Sequence, residues 1–400
     1  MRGDHAGYVC GAALGFLGDL IAADPRRGHP VAAFGRAAGA VERRLWRDHR
    51  GYGATHAVLC AGGAAAGAAL LERAVRGSAS ASLLSLRGGA RVALTAATVW
   101  AVLGGTSLGR EARAVGGALT AGDLDVARER LPHLCGRDPQ ALDGPQMARA
   151  VVESVAENTS DAVVGALVWG ALGGVPGLVA FRAVNTLDAM VGHKSPRYRR
   201  FGWAAARLDD LAGWPGSRLT AALTVLAGPD RRGALRAWRA DGGAHPSPNA
   251  GPVEASFAGA LGVRLGGTLA YGGRVEHRPV LNGAAPPVAV PDIERAVRLS
   301  RRVSALALLT TVAARAAVGV ARAAVARGAG GAGVRRDRYA GVRRERYEAV
   351  RFSPPPTPFG GWAGVVTRSP GGGPGERAVE SSRRGGRRWP VGGRYDVRRR

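Results

Sequence analysis

Between Glu153 and Asp210 the chain reads ESVAENTSDAVVGALVWGALGGVPGLVAFRAVNTLDAMVGHKSPRYRRFGWAAARLDD. Two polar clusters flank an apolar run, Ala162 to Phe181, of about 20 residues, the length of helix that crosses a bilayer core. Glu153, Glu157 and Asp161 recur at i, i+4 and i+8, which on a regular helix sets three carboxylates along one face. Like charges at that spacing repel by a few tenths of a kcal/mol per pair. Arg149 can neutralise only one of them, so a bound magnesium ion, alone or with another arginine, is the better account. Asn185 and Asp188 share the face of a second helix, which Gly192 ends, releasing His193 and Lys194 into a loop. Lys194 is the one lysine of the chain, and Asn158 and Asn185 are two of only four asparagines. Residue types that the chain otherwise avoids are kept here, which points to function.

Other chemistries are weaker. Lys194 lies in VGHKS, without the glycine spacing of a G-x-x-x-x-G-K-[ST] phosphate loop. His193 has no Cys or His partner at metal spacing, which argues against zinc. Cys10, Cys60 and Cys135 are odd in number and far apart, so they form neither a disulfide framework nor a metal set.

The motifs ESVAENTSD, NTLDAMVGHK and ARLDD, with GDLIAADPRRGHPV near the start and SPNAGPVEASFAGALGVRLGG in the third quarter, resemble the CobD/CbiB family of cobalamin biosynthesis membrane proteins, the adenosylcobinamide-phosphate synthases. The resemblance implies an ATP-dependent ligase that joins aminopropanol, or its phosphate, to a propionate carboxylate of adenosylcobyric acid. It places substrate-binding roles on Asp24, Arg26 and His29, on Arg137 and Asp138, and on Asn249 and Glu254. Taken with the residue chemistry, it gives a working assignment. Glu153, Glu157, Asp161 and Asp188 hold magnesium, Lys194 neutralises the transferring phosphate, and Asn158 and Asn185 orient substrate. Asp209 positions or deprotonates the amine.

These groups have to be positioned by membrane helices. Apolar runs at Ala6–Ala23, Ala54–Leu71, Arg91–Leu108, 162–181, Leu211–Gly228 and Val303–Val325 predict an all-α polytopic membrane protein with about 5–6 membrane helices or re-entrant half-helices. Asp19 interrupts the first run and is expected to face protein rather than lipid. Val31–Arg50 reads as an amphipathic surface helix with Glu42, Arg43, Arg44 and Arg47 on its wet side. Gly109–Ser160 reads as a soluble segment of short helices broken at Pro132 and Gly136. Gly173, Gly174 and Pro176 interrupt the run at 162–181. Either the run crosses the membrane or it turns back as two half-helices, which would keep both polar clusters on one side. Pro248, Gly251 and Pro252 predict a rigid non-helical turn, and Tyr271–Pro287 an extended connector. Residues 1–327 form the expected core. The Arg-, Gly- and Pro-rich segment 328–400 cannot bury enough surface to fold and is expected to be disordered.

Composition narrows the function classes. The chain is 46% hydrophobic but only 6% aromatic, an Ala, Val, Leu and Gly economy that suits close helix packing in lipid. Its net charge of +26, of which +11 lies beyond residue 327, favours anionic partners such as headgroups and nucleotides. No nucleic-acid recognition motif accompanies the arginines. Arginine is dense in every loop, so charge does not fix orientation; dependence on ATP places the expected site on the cytoplasmic side of the cell membrane. A cation-coupled transporter with an Asp/Asn midplane site is the leading alternative, and it would be expected to show two similar halves, which the sequence lacks. A scaffold for other cobalamin-pathway enzymes would leave the lone lysine and the Asn-Asp clusters unexplained.

Overall fold

A computed structural model describes residues 2–23, 28–76, 86–271 and 274–351. Five helical stretches are long and apolar enough to cross a membrane: His5–Ala22, Arg50–Val75, Gly88–Thr120, Gly144–Val191 and Pro291–Arg322. In chain order the helices are α1 (Arg2–Ala22), α2 (Pro30–Leu45), α3 (Arg50–Ala57), α4 (Gly63–Arg76), α5 (Leu86–Val102), α6 (Gly105–Thr120), α7 (Leu124–Arg130), α8 (Gly144–Asn158), α9 (Gly165–Val191), α10 (Trp203–Ala227), α11 (Arg231–Asp241), α12 (Ala250–Leu261) and α13 (Pro291–Arg351). Single π-helical stretches, Val58–Gly62 and Thr159–Val164, splice α3 to α4 and α8 to α9. The apolar run at Leu211–Gly228 lies in α10, which is not among the five.

The chain divides into two units, Met1–Val334 and Arg335–Arg400. The first holds every group discussed below. Of the second, helical backbone is described to Arg351, and residues 352–400 lie outside the described residues.

The core is built on α8. Its Met147, Val151, Val152 and Val155 are fully enclosed, among Ile293 and Val297 of α13, Val115 of α6 and Phe257 of α12. The segment 109–160 is therefore less a soluble insert than the spine of the fold. Asp19 is buried as expected, and its Oδ2 accepts hydrogen bonds from the N–H and Oγ1 of Thr106, both at 3.1 Å. These donors lie in the first turn of α6, where backbone N–H groups lack helical acceptors.

The run at 162–181 turns back on itself. At 1.5 Å per residue a straight helix would hold Gly165 and Phe181 about 24 Å apart. Instead a Cβ placed on Gly165 would stand 2.3 Å from Cζ of Phe181, and one on Gly177 would stand 2.2 Å from the carbonyl oxygen of Trp169. The reversal is at Gly174, whose φ of 68° and ψ of −150° suit glycine alone. Pro176 follows at the start of the second half-helix, where its missing N–H costs no hydrogen bond. Of the two arrangements the sequence allows, the chain takes the re-entrant pair. The exposed carbonyls at the end of the first half-helix are met by Arg315 of α13, which donates to Gly170 O at 3.2 Å and Ala171 O at 2.6 Å. The Arg315 guanidinium also lies over the Tyr8 ring, 4.2 Å from its centroid. Gly174 itself is buried, while Leu172 and Gly173 just before it are exposed.

Two local expectations are corrected. The turn expected at 248–252 is only half formed: Pro248 and Asn249 lie in a turn, but Gly251 and Pro252 lie in the first turn of α12, where proline is tolerated. The extended connector expected at 271–287 carries β2 (Arg274–Leu281), which pairs antiparallel with β1 (Leu265–Tyr271) in a largely helical chain. Glu42 is not on the wet side of α2; it is buried and accepts from Tyr198 Oη at 2.7 Å and Arg197 at 3.3 Å.

Candidate functional site

The hairpin brings the two sequence clusters to one end of the fold. Asp161 sits in the π-helical stretch Thr159–Val164 just before the first half-helix, and Asp188 sits in the last turn of the second. Asp161 lies within electrostatic reach of Asp209, Glu157, Asp188 and Arg182. π-Bulges recur at functional sites because they re-aim one turn of side chains. Here the stretch begins after Glu157, so Glu153 and Glu157 keep their i, i+4 spacing on α8 and only Asp161 leaves the regular file.

Around Asp188 and Asp209 the contacts are polar. Asn185 donates through Nδ2 to Asp209 Oδ1 at 3.4 Å, and its Oδ1 accepts from Arg182 Nη1 at 3.4 Å. The amide is thereby oriented by a cation on one side and a carboxylate on the other. Burial, and then the Asp188 carboxylate, push Asp209 up from its ordinary 3.8 to about 7, against the lowering effect of the Asn185 hydrogen bond. Gly192 closes this corner: a Cβ there would fall 1.8 Å from Asp188 Oδ1, so only glycine leaves room for the carboxylate. Lys194 is exposed in the loop that follows, with no hydrogen-bond or ion-pair partner among the described residues. Above the second half-helix an apolar cavity of about 480 Å³ is lined by Phe34, Leu71, Val102 and Val179, with Arg182 and Thr186 among its polar groups.

The other candidates separate. Glu153 is deeply buried and both of its oxygens are engaged. Oε2 pairs with Arg137, and Oε1 accepts from Gly266 N–H at 2.7 Å. It anchors the β-hairpin and the Arg137 loop to α8, which leaves it poorly placed as a magnesium ligand. Arg149 stands 3.9 Å from the same carboxylate but donates mainly to Gly266 O and Thr268 O. Asp138 caps a short 3₁₀ turn through Gln140 N–H at 3.1 Å. Asn158 turns back onto its own helix, donating to Ser154 O at 2.9 Å and Ser154 Oγ at 3.1 Å. Asn249 ties α10 to α12, donating to Asp210 O at 2.8 Å and accepting from Arg218 at 3.1 Å. His29 caps α2 through Val31 N–H at 3.2 Å. Asp24 and Arg26 lie outside the described residues.

Glu157 and Glu254 meet at a second centre, with His245 between α11 and α12. Burial first, and then Glu157 and Glu153, hold the Glu254 carboxyl well above its ordinary value; burial, followed by Arg278, lowers His245. Sequence reasoning named neither His245 nor Arg182. The first stands in the loop HPSPN with no ligand-like spacing, and the second reads as a membrane flank.

The profile of the CobD/Cbib protein family matches residues 12–300. A cobalamin biosynthesis protein CobD from Mycobacterium tuberculosis is 50% identical over 307 residues, covering 76% of this chain and 94% of that protein. One from Chromobacterium violaceum is 42% identical over 289 residues, 72% of this chain and 91% of the other. One from Geobacter metallireducens is 44% identical over 289 residues, 70% and 88% respectively. No solved structure matches the chain.

Proposed function

Because the chain belongs to the CobD/CbiB family of cobalamin biosynthesis proteins, we propose that it is the ligase that forms the amide between aminopropanol, or its phosphate, and a propionate carboxylate of adenosylcobyric acid. The observation that carries this reading is the convergence of Asp161, Asp188, Asn185 and Asp209 at the open end of the re-entrant hairpin. Amide formation in water needs a carboxylate oxygen made into a leaving group. Transfer of the γ-phosphoryl of ATP to that oxygen gives an acyl phosphate and ADP. The amine nitrogen then attacks the acyl carbon, the C–N bond forms, the C–O bond to phosphate breaks, and the nitrogen loses a proton.

Each demand has a residue suited to it. Asp209, with its pKa near 7, is poised to take the amine proton at neutral pH. Asn185, held between Arg182 and Asp209, presents an oriented amide to substrate. Lys194, mobile on a four-carbon stem, supplies a point charge to the transferring phosphate. Asp161 and Asp188 offer the hard carboxylate oxygens that magnesium prefers. When bound, that ion would neutralise charge on the nucleotide phosphates. Glu157 is the adjoining carboxylate, while Glu153 is taken up by Arg137 and the hairpin. Supply of ATP puts the working face on the cytoplasmic side of the cell membrane.

The test supplies membranes containing the protein with adenosylcobyric acid, aminopropanol phosphate, ATP and magnesium, and follows the amide product by mass spectrometry. ATP-dependent product that disappears in Lys194→Ala and Asp188→Asn is expected. Full ligation by both folded variants would overturn the site assignment. No product from inserted, folded wild type would overturn the ligase reading in favour of a carrier.

A further inference from the structure

Glu157 of α8, His245 of the α11–α12 loop and Glu254 of α12 bring one donor atom each within 4.8 Å of one another. His245 Nε2 stands 3.8 Å from Glu254 Oε1. Glu254 is only 2% exposed, and its Oε1 has no hydrogen-bond partner among the described residues. Glu254 shares a hydrogen bond with Glu157, which still leaves Oε1 unmet, and a buried carboxyl oxygen without a donor is costly, so its retention needs a partner. The backbone beside His245 engages Nδ1, with Ser247 N at 3.0 Å and Ser247 O at 3.4 Å. Ser247 N–H donates to Nδ1 and fixes the ring with Nε2 turned toward Glu254; on ligation the ring proton passes to Nδ1, facing the Ser247 carbonyl, and the Nε2 lone pair is freed for an ion.

We infer that Glu157, His245 and Glu254 form a binding site for a first-row divalent transition-metal ion, separate from the Asp161, Asp188 and Asp209 centre. Two carboxylates match the ion's double charge. The imidazole nitrogen selects a transition ion such as Zn²⁺ or Co²⁺ over Mg²⁺, which takes oxygen ligands. Three protein donors leave a coordination position open for water or a substrate oxygen, the pattern of catalytic rather than structural sites. Donors around a tetrahedral ion at about 2.0–2.1 Å stand roughly 3.4 Å apart. The cluster therefore closes by about an ångström on binding, within the reach of side-chain torsions. Arg278, whose Nη1 is 3.4 Å from His245 Nε2, yields that place to the ion. The site does not depend on the ligase reading, because its readout is metal and not product.

The experiment uses the full-length chain in nanodiscs without corrinoid, stripped with chelator, incubated with Co²⁺ or Zn²⁺ and desalted. One equivalent of metal, measured by mass spectrometry, is expected in wild type and in Asp209→Asn, with millimolar Mg²⁺ failing to displace it. At least tenfold weaker retention is expected in His245→Ala and Glu254→Gln. Equal retention in all four proteins, or none in wild type, would overturn the site. A second readout needs no variant: the Co²⁺ form of wild type should show visible ligand-field bands with an imidazole nitrogen in the coordination sphere. Bands of an all-oxygen octahedral ion would refute the histidine ligand.

Discussion

The re-entrant hairpin can be tested by a double-mutant cycle on Gly165 and Phe181. A Cβ at Gly165 would lie 2.3 Å from Cζ of Phe181 and 2.8 and 3.1 Å from the two Cε atoms. Gly165→Ala therefore forces the ring back by more than an ångström in a fully packed setting, an overpacking cost of about 1–3 kcal/mol. Replacing a helical glycine by alanine returns up to about 1 kcal/mol, so the single variant should be neutral to 2 kcal/mol less stable. In Phe181→Leu the offending ring atoms are gone, and the same alanine should then be stabilising. The propensity gain is common to both backgrounds and cancels, leaving a coupling of about 1–3 kcal/mol. The assay is unfolding by a denaturing detergent, for all four proteins in the same mixed micelle. If the segment crossed straight, the two residues would be about 24 Å apart, and sites that distant add within about 0.5 kcal/mol. A coupling below that value would refute the hairpin, and with it the joining of the two polar clusters.

Further outcomes follow from the buried charges. Arg137→Ala should cost about 3–5 kcal/mol of stability, because it strands the Glu153 carboxylate inside the core; a raised KM with unchanged unfolding midpoint would instead make Arg137 a substrate contact. Asp209 binds its proton more tightly in the folded protein than in the unfolded chain, since its pKa rises from 3.8 to about 7. Its contribution to stability should therefore fall as pH rises from about 4 to about 7, and Asp209→Asn should flatten that slope; an unchanged slope would remove the perturbed carboxyl. In the ligation assay the rate should climb with pH through about 7, and Asp209→Asn should lose both that limb and about 10²–10⁴ of rate.

The membrane spans were legible because a bilayer demands long apolar runs, and Ala, Gly and Val supply them at 54–71 and 91–108 without an internal charge. The burial of Asp19 followed from the same argument. What the sequence left open was the path of 162–181, since about 20 apolar residues suit a crossing and two half-helices equally. Gly174 marked a break but not its direction. The hidden determinant was Arg315, far along the chain within the run at 303–325, which donates to the hairpin's carbonyls. The π stretch at Thr159–Val164 has no residue signature either, so counting by fours placed Asp161 in one file with Glu153 and Glu157. Nor did the spacing show that Glu153 pairs with Arg137 while Glu157 meets Glu254. The β-hairpin was only half legible: the segment 271–287 read as extended, but nothing in that reading paired it with Leu265–Tyr271.

The splitting of that carboxylate file explains how one helix can serve several tasks. On a straight α8–α9 rod, Asp161 and Asp188 would be separated by about 40 Å, and no single substrate could touch both. The reversal at Gly174 removes that distance, and Asp161 in the π stretch comes within electrostatic reach of Asp188 on the second half-helix as well as of Glu157 before it. Glu153, one turn below Glu157, is spent on holding the Arg137 loop and the β-hairpin in place. Glu157 remains between the two centres, within electrostatic reach of both Asp161 and Glu254. A cation held by Glu157 must therefore lower the cost of negative charge at Asp161 as well. In the proposed scheme, phosphate chemistry beside Asp161 and ion binding beside His245 are coupled through a single side chain, whose removal is expected to act on both.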